Sequence, residues 1–291
     1  MNNIKKVLKE RGLHPKSYEY RNKIVIVDTN NGKYVIKKNC NNCDIYDYLK
    51  AKGFNNYPMY YSNKNDNYDL SMYIDDTLIP DEQRCEDLVK TLSYLHYKTS
   101  YYQESDLDEI KQIYEDVKNN LFNLLNYYNE INDYLDKEIF LSPAGYLLIR
   151  NISLIYRMIN YGLTKIDLWY QISSNLNKYR TCLIHNNISL DHLLIRDNNY
   201  LVSWDKSKIA RPIFDIVEFY KKYYKLIKLE DVLNLYESVN CLQEEEKCLL
   251  LIYLSIPKRI AFTDNHLNDV IDINNELLYL NKVYEYIRNN G

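Results

Sequence analysis

The fold is decided by the segment CLIHNNISLDHLLIR, residues 182–196, which is followed by YLVSWD at 200–205 and PIFD at 212–215. Short apolar runs alternate in it with polar clusters. This pattern predicts a strand, a polar loop, a second strand, a turn, a third strand and a final loop. Because short strands can hold side chains rigidly around a cleft, the segment predicts a binding or catalytic site. The polar side chains that lie between its short apolar strands are those of His185, Asn187, His192 and Ser203.

The chain before this segment begins with a β-rich region. A hairpin is predicted from KIVIVD at 23–28 and KYVIK at 33–37, because the turn-forming residues DTNNG at 28–32 lie between them. A helix is predicted over 43–52 from its apolar spacing, with Gly53 as its C-cap. Two more strands are predicted over 56–61 and 69–74, separated by a polar turn at 62–67.

After Asp75 the pattern changes from strands to helices. Residues 81–99 form an amphipathic repeat with Leu88, Leu92 and Leu95 on one stripe. Further helices are predicted over 107–137, over 147–180 and from the polar segment to the C terminus. The fold class expected is α+β with two lobes: a small β-rich lobe at 1–75 and a large, mostly helical lobe at 76–291.

Composition excludes several classes of protein. The 291 residues are 46% hydrophobic and 26% charged, which is typical of a globular chain and not of a disordered one. A net charge of −3 argues against nucleic acid as a partner. The longest apolar run, 248–256, is far shorter than the about 20 residues that cross a bilayer. We therefore expect a soluble, cytoplasmic protein with no membrane contact.

The six cysteines are scattered, at positions 40, 43, 85, 182, 241 and 248. Cys40 and Cys43 have the spacing of half a zinc site, but no second CxxC pair follows. A structural zinc site needs four ligands, so reduced thiols are the interpretation we prefer.

The polar segment resembles a known family, the aminoglycoside phosphotransferase and choline kinase branch of the protein-kinase-like fold. Among its members, the kinase-related spore-coat proteins of the CotS type are the most similar. The family loop reads His-Gly-Asp-Leu, then three residues and Asn, and its next strand reads Asp-Phe/Trp-Asp/Gly. Here these frames read His185 to His192 and Ser203-Trp204-Asp205. Pro212 and Asp215 follow Ser203 by nine and twelve residues, as in the family.

The resemblance also implies roles for residues outside the loop. Lys37, in the strand that ends the hairpin, would hold the phosphates of a nucleotide, and strand alternation points only one of Lys37 and Lys38 inward. Asp44 on the next helix would take the place of the family's paired Glu. The cofactor-contacting segment would contain Met72, Tyr73 and Ile74. His185 and Asp215 would be structural, packing the loop and capping its backbone.

Three positions depart from the family pattern. Asn187 stands where the resemblance implies the catalytic Asp, and an amide cannot accept a proton at neutral pH. His192 and Ser203 stand where the resemblance implies an Asn and an Asp that hold Mg²⁺. Nitrogen from His suits zinc or copper better than magnesium, and Ser is short and neutral. The base and the metal anchors are therefore degenerate.

Two alternatives stay open for these positions. Asp191 and Asp205 lie one and two residues from the lost metal positions, and a shifted loop would let them replace the missing carboxylates. His185, His192 and Asp191 are also candidates for a transition-metal site.

The resemblance and its departures together predict a pseudokinase, a spore-coat-associated protein that acts as a binding or scaffolding element. On this interpretation no cofactor is bound, and the partners are other coat or cellular proteins, with the protein moving from the cytoplasm to the spore coat after sporulation. The alternative is an active ATP- and Mg²⁺-dependent phosphotransferase that uses Asp191 or Asp205. The sequence identifies no substrate.

Overall fold

A computed structural model of the chain describes residues 8–9, 11–21, 24–38, 43–61, 68–263 and 265–290. The contacts divide the described residues into two units. Unit 1 takes the residues up to Thr99 together with Leu183–Lys208, and unit 2 takes Ser100–Cys182 together with the residues from Ile209 onward. The boundary between two lobes that the sequence predicts near residue 75 stays a prediction.

Unit 1 begins with an antiparallel sheet of four strands in the order β1-β2-β3-β4. A cluster of buried side chains, among them Val25, Val27 and Ile36, packs on one face of this sheet. The elements described in this part of the chain are β1 (Pro15–Arg21), β2 (Ile24–Thr29), β3 (Gly32–Lys38), α1 (Cys43–Ala51) and β4 (Tyr68–Met72).

The predicted hairpin is confirmed as β2 and β3, with Ile24 opposite Lys37 at its open end. Its turn forms because the Thr29 hydroxyl donates to the Gly32 carbonyl oxygen at 2.8 Å and accepts from the Asn31 amide at 3.1 Å. Gly32 has a φ of +113°, a conformation that L side chains rarely adopt. The turn is therefore encoded locally.

The predicted helix over 43–52 is confirmed as α1, but the strand predicted over 56–61 is wrong. That segment makes only an isolated bridge between Tyr60 and Ser71. Pro58 lies in its middle and lacks the N–H group that a ladder requires. The next strand ends at Met72, before Ile74, and the turn predicted over 62–67 lies outside the described residues.

The rest of unit 1 consists of a long helix and the polar segment. Helix α2 (Asp81–Thr99) confirms the predicted amphipathic helix, with Leu88, Leu92 and Leu95 buried. The polar segment contributes the end of β6 (Lys178–Ile184) and the hairpin formed by β7 (Leu193–Ile195) and β8 (Asn199–Leu201). The guanidinium of Arg84 on α2 donates to the Leu193 carbonyl oxygen at 2.8 Å, which holds this hairpin on the helix. The predicted strand, turn and strand are confirmed.

Unit 2 is mostly helical. Its elements are β5 (Tyr101–Glu104), α3 (Leu107–Leu135), α4 (Pro143–Ser174), most of β6 (Lys178–Ile184), most of β9 (Lys208–Ala210), α5 (Ile213–Tyr223), α6 (Leu229–Glu237), α7 (Glu244–Ser255) and α8 (His266–Asn290). Helix α4 packs against α3, α7 and α8. Gly162 permits this packing, because a Cβ there would lie 3.0 Å from the side chains of Leu121 and Ser255.

The bounds of the two longest predicted helices need correction. Helix α3 ends at Leu135, and α4 begins at Pro143 because the Ser142 hydroxyl caps it, accepting from the Gly145 amide at 3.1 Å. Residues 178–180, which the helical pattern had included, belong to strand β6 and pair with β5. The helices predicted toward the C terminus are confirmed as α5 to α8.

Two ion pairs are buried in unit 2. Arg180 on β6 makes a two-pronged contact with the Glu246 carboxylate, at 2.9 and 2.5 Å. Arg211 donates to Glu245 at 3.1 Å. Among the described residues, no helix is long and apolar enough to span a bilayer, and the cysteines at 43, 85, 182, 241 and 248 form no disulfide. Cys40 lies outside the described residues.

Candidate functional site

The polar loop of unit 1 is fastened by side chains that donate to main-chain oxygens. His185 Nε2 donates to the Val202 carbonyl at 2.9 Å, and the Asn187 amide donates to the Ser203 carbonyl at 3.3 Å. The Asn186 amide donates to the Lys206 carbonyl at 3.0 Å, and His192 Nδ1 donates to the Asn187 carbonyl at 2.7 Å. The first three contacts tie the loop to the chain that follows β8, and the fourth joins two residues of the loop itself.

Two residues of this loop have left-handed backbone conformations. Asn186 has a φ of 53° and Ser203 a φ of 68°, the only positive values among the non-glycine residues that the structure describes. Such conformations cost about 1–3 kcal/mol each and persist where the surrounding contacts enforce them. The loop is thus held in a specific shape at both of its ends.

Lys37 on β3 forms an ion pair with Asp205, which follows Ser203 by two residues. The lysine side chain is 24% exposed and the aspartate side chain 36% exposed. Lys37 is therefore the lysine of this strand that faces the polar segment. The structure does not describe the side chain of Lys38.

A cavity of about 410 Å³ lies within unit 1, between the sheet and the β7–β8 hairpin. This volume falls in the range of about 300–1,000 Å³ that is usual for small-molecule sites. Its walls are mainly apolar, and both the sheet side and the polar loop contribute polar side chains. Apolar side chains are supplied by Ile24, Ile26, Val35, Pro58, Met72, Ile74, Leu194 and Val202.

The cavity brings together seven of the residues predicted from the sequence: Lys37, Met72, Tyr73, Ile74, Asp191, His192 and Ser203. The other five do not line it. Asn187 contacts the Ser203 carbonyl and Asp205 pairs with Lys37, and Asp44 is an exposed residue of the first turn of α1. His185 is buried against Trp204, with ring centroids 5.0 Å apart, and Asp215 is buried in helix α5 of unit 2. The roles predicted for all twelve stay predictions.

Sequence reasoning missed three charged residues that line the cavity: Arg21, Asp69 and Asp76. Asp69 lies opposite Lys37 in the β3–β4 ladder, so a correct strand register would have revealed it. Asp76 accepts from the Ile195 amide at 2.7 Å and from Arg84 at 3.0 Å. The local sequence contains no pattern that predicts the contact between Asp76 and the Ile195 amide, which are 119 positions apart.

The residues at the degenerate positions do not fit a magnesium site. Mg²⁺ requires near-octahedral oxygen ligands, usually carboxylates and water. The side chain of Asn187 donates a hydrogen bond to the Ser203 carbonyl, and His192 Nδ1 donates one to the Asn187 carbonyl. The side chain of Ser203 carries no charge. Within the described ranges, no group of three His, Cys, Asp or Glu side chains lies close enough to hold a metal ion. This includes His185 and His192, whose ring centroids are 6.0 Å apart.

Solved structures share this arrangement of elements. An aminoglycoside phosphotransferase from Alicyclobacillus acidocaldarius matches with a TM-score of 0.66 and 10% identity, over 94% of this chain and 93% of that one. A spectinomycin phosphotransferase, solved with ADP and spectinomycin, matches with a TM-score of 0.51 and 14% identity, over 96% of both chains. The chain has the fold of these two proteins. A choline kinase from Streptococcus pneumoniae also matches, with a TM-score of 0.47 and 13% identity, over 94% of this chain and 98% of that one.

These comparisons confirm the kinase-like α+β fold class that the sequence predicted. No family model matches the chain, and no curated protein sequence matches it. The finer resemblance to spore-coat proteins of the CotS type stays a prediction.

Proposed function

We propose that the chain is a kinase-like protein that acts by binding and does not perform Mg²⁺-dependent phosphoryl transfer. The observation that carries the proposal is the contact of Asn187 with the main-chain oxygen of Ser203. At the position where the resemblance implies a general base, the side chain is a hydrogen-bond donor fixed to the backbone. General-base catalysis contributes roughly 10²–10⁴ in rate, and an amide supplies none of it.

The loss of metal anchors supports the same conclusion. Phosphoryl transfer depends mainly on positioning and on cations that offset the charge of the phosphates. His192 and Ser203 provide no carboxylate for such a cation, and the Lys37 ammonium is engaged by Asp205. Desolvating a nucleotide triphosphate against this surface would therefore be poorly offset.

The proposal includes a biological setting. The sequence resemblance implies a binding or scaffolding role in the spore coat, with other coat or cellular proteins as partners. Localisation of a fluorescent fusion before and after sporulation tests it, and a signal that never leaves the cytoplasm contradicts it.

One observation favours a second candidate, an active phosphotransferase. Asp191 is exposed and lines the cavity beside His192 and Ser203, where a substrate hydroxyl would have to be deprotonated. This candidate predicts measurable ATP turnover that Asp191→Asn abolishes without a change in thermal stability. Asp197→Asn, an exposed carboxylate in the β7–β8 turn outside the cavity lining, is the matched control.

The deciding experiment measures ATP turnover and ATP binding by calorimetry, each with and without Mg²⁺. We expect no turnover and no strengthening of binding by Mg²⁺. Turnover that depends on Mg²⁺ and is lost in Asp191→Asn overturns the proposal in favour of the second candidate.

A restoration variant sharpens this test. The triple change Asn187→Asp, His192→Asn and Ser203→Asp returns carboxylates and an amide to the three degenerate positions. If these positions alone account for the missing chemistry, the folded triple variant gains Mg²⁺-dependent nucleotide binding. A folded triple variant without that gain shows that the rest of the cavity also rejects the nucleotide.

A further inference from the structure

Unit 2 contains a pocket of its own, with a volume of about 380 Å³. Helix α5 forms one wall, residues 256–263, which follow α7, form the second, and helix α8 forms the third. The volume lies in the range of about 300–1,000 Å³ that is usual for small-molecule sites. Among the described residues, this unit 2 pocket shares none of its lining with the cavity of unit 1. It is therefore a separate place for a ligand.

Three cationic side chains line the unit 2 pocket. Lys221 comes from α5, and Lys258 and Arg259 come from residues 256–263. In the part of the chain that the structure describes, none of the three side chains belongs to an ion pair or donates a hydrogen bond. Burial lowers the pKa of the Lys221 ammonium, while the Glu276 carboxylate raises it and Lys258 lowers it by smaller amounts. A bound anion would supply the partner that these cations lack.

Two carboxylates on α8 also line the pocket, Asp272 and Glu276, which lie one helical turn apart. Glu276 is buried and accepts from the Lys258 main-chain amide at 2.9 Å, and burial raises its pKa. Asp272 is exposed. The cations of the lining therefore outnumber its carboxylates by three to two, and the pocket is positive even when both carboxylates are ionised.

The main chain that carries Lys258 and Arg259 is held in place by two tyrosines of α3. The Tyr128 hydroxyl donates to the Lys258 carbonyl, and the Tyr127 hydroxyl donates to the Ile260 carbonyl at 2.5 Å. The Arg259 guanidinium lies over the Tyr127 ring, 5.1 Å from its centroid, a cation–π contact that leaves its N–H groups available to a ligand. Because these residues are already ordered, binding a ligand costs less conformational entropy.

We infer that the unit 2 pocket is a second binding site, which takes the phosphate group of a small, polyhydroxylated phosphate monoester. Such a group carries a charge of about −1.5 to −2 at pH 7 and three terminal oxygens, so it can meet all three of Lys221, Lys258 and Arg259. A carboxylate has one charge and two oxygens and matches only part of this set. On α8, Asp272 and Glu276 can accept hydrogen bonds, which suits hydroxyl groups on the rest of the ligand. The pocket contains no residue on which the proposed function depends.

Calorimetric titrations of the full chain with glucose 6-phosphate, glucose and inorganic phosphate at low ionic strength test the inference. We expect glucose 6-phosphate to bind at least about tenfold more tightly than glucose, and inorganic phosphate to compete with it. The affinity should fall at about 0.5 M salt, because added ions screen the attraction. Equal affinities for glucose and its phosphate, no binding of glucose 6-phosphate, or no competition by inorganic phosphate overturns the inference.

Single variants locate the site. Lys258→Met and Arg259→Met replace exposed side chains, so urea unfolding should be nearly unchanged, and each is expected to weaken binding of glucose 6-phosphate about tenfold or more. Lys111→Met removes the same charge from an exposed position of α3 and is the matched control, with binding unchanged. A loss of affinity as large in Lys111→Met as in the two pocket variants would show unspecific attraction to the net charge and overturn the inference.

The outcomes separate this site from the proposed function. ATP turnover that requires Mg²⁺ would defeat the proposed function and would not bear on the unit 2 pocket. Loss of glucose 6-phosphate binding in Lys37→Met, with full binding in Lys258→Met, would place the phosphate in unit 1 and defeat only the second site.

Discussion

The ion pair between Lys37 and Asp205 is the contact on which the charge of the cavity depends, and a double-mutant cycle measures it. The two residues are 168 positions apart, so the contact is made only in the folded chain. The backbone of Lys37 is fixed by ladders to both β2 and β4. Lys37→Met and Asp205→Asn, singly and together, remove the charges while keeping side chains of similar size.

The expected coupling energy follows from distance and exposure. Two unit charges about 4 Å apart interact by about 1 kcal/mol in bulk water and by about 4 kcal/mol at the effective dielectric constant of a protein surface. The side chains here are 24% and 36% exposed, so solvent screens part of this interaction. We therefore expect a coupling of about 1–2 kcal/mol.

The assay uses the two tryptophans of the chain, Trp169 in unit 2 and Trp204 in unit 1. In a Trp169→Phe background, fluorescence during urea unfolding reports on Trp204, which is fully buried in unit 1. The matched control is the ion pair between Lys90 and Glu86 on helix α2. Its nitrogen and oxygen atoms are 3.6 Å apart, and both side chains are about half exposed. Exposed pairs of this spacing couple by about 0.3–0.5 kcal/mol.

A coupling for Lys37 and Asp205 no larger than that of the control pair would refute the reasoning. It would mean that the Lys37 ammonium is not held by Asp205 in solution. The statement that Asp205 engages the Lys37 ammonium, which the proposed function uses, would then lose its support.

The remaining predictions concern stability. Arg180→Met leaves the buried Glu246 carboxylate without its partner and is expected to cost about 3–5 kcal/mol in urea unfolding; a cost below about 1 kcal/mol would contradict a buried pair. Ser203→Gly removes the side chain from a left-handed position and is expected to stabilise unit 1 by up to about 1 kcal/mol, whereas Ser189→Gly, at an extended position, should destabilise it. Burial raises the pKa of Glu276 above its ordinary value of 4.5, so the folded protein binds this proton more strongly than the unfolded chain. Stability should therefore fall as pH rises from 4.5 through the folded-state pKa, and Glu276→Gln should become progressively more stable than the parent over that range; parallel pH profiles would exclude the effect.

Local signals account for the part of the fold that the sequence predicted. The β2–β3 hairpin and helix α2 are each specified by residues next to one another: a turn with Gly32, and a stripe of leucines. Strand β5 was missed because its four residues are exposed and its partner is remote, with Tyr101 opposite Thr181. The strand predicted over 56–61 was wrong because an alternating apolar pattern takes no account of backbone donors. Pro58 has no N–H group to donate to a neighbouring strand.

The candidate site divides in the same way. The neutral residues at 187, 192 and 203 were found from spacing within a single segment. The ion pair of Lys37, and the presence of Arg21, Asp69 and Asp76 in the lining, depend on contacts between distant segments. The charge of the lining is a property of all these groups together, so a motif within one segment could not reveal it.

On the proposed function, the contacts of the polar loop account for a fold that persists without phosphoryl transfer. A carboxylate accepts hydrogen bonds but cannot donate them, so an Asp at position 187 could not make the contact that Asn187 makes with the Ser203 carbonyl. His192 likewise donates to the Asn187 carbonyl. Each such bond contributes about 0.5–1.5 kcal/mol to stability. Asn at 187, where the resemblance implies a general base, therefore supplies a donor that fastens the loop. A restored carboxylate at 187 would face a carbonyl oxygen at close range, and the loop would have to move before it could serve a substrate.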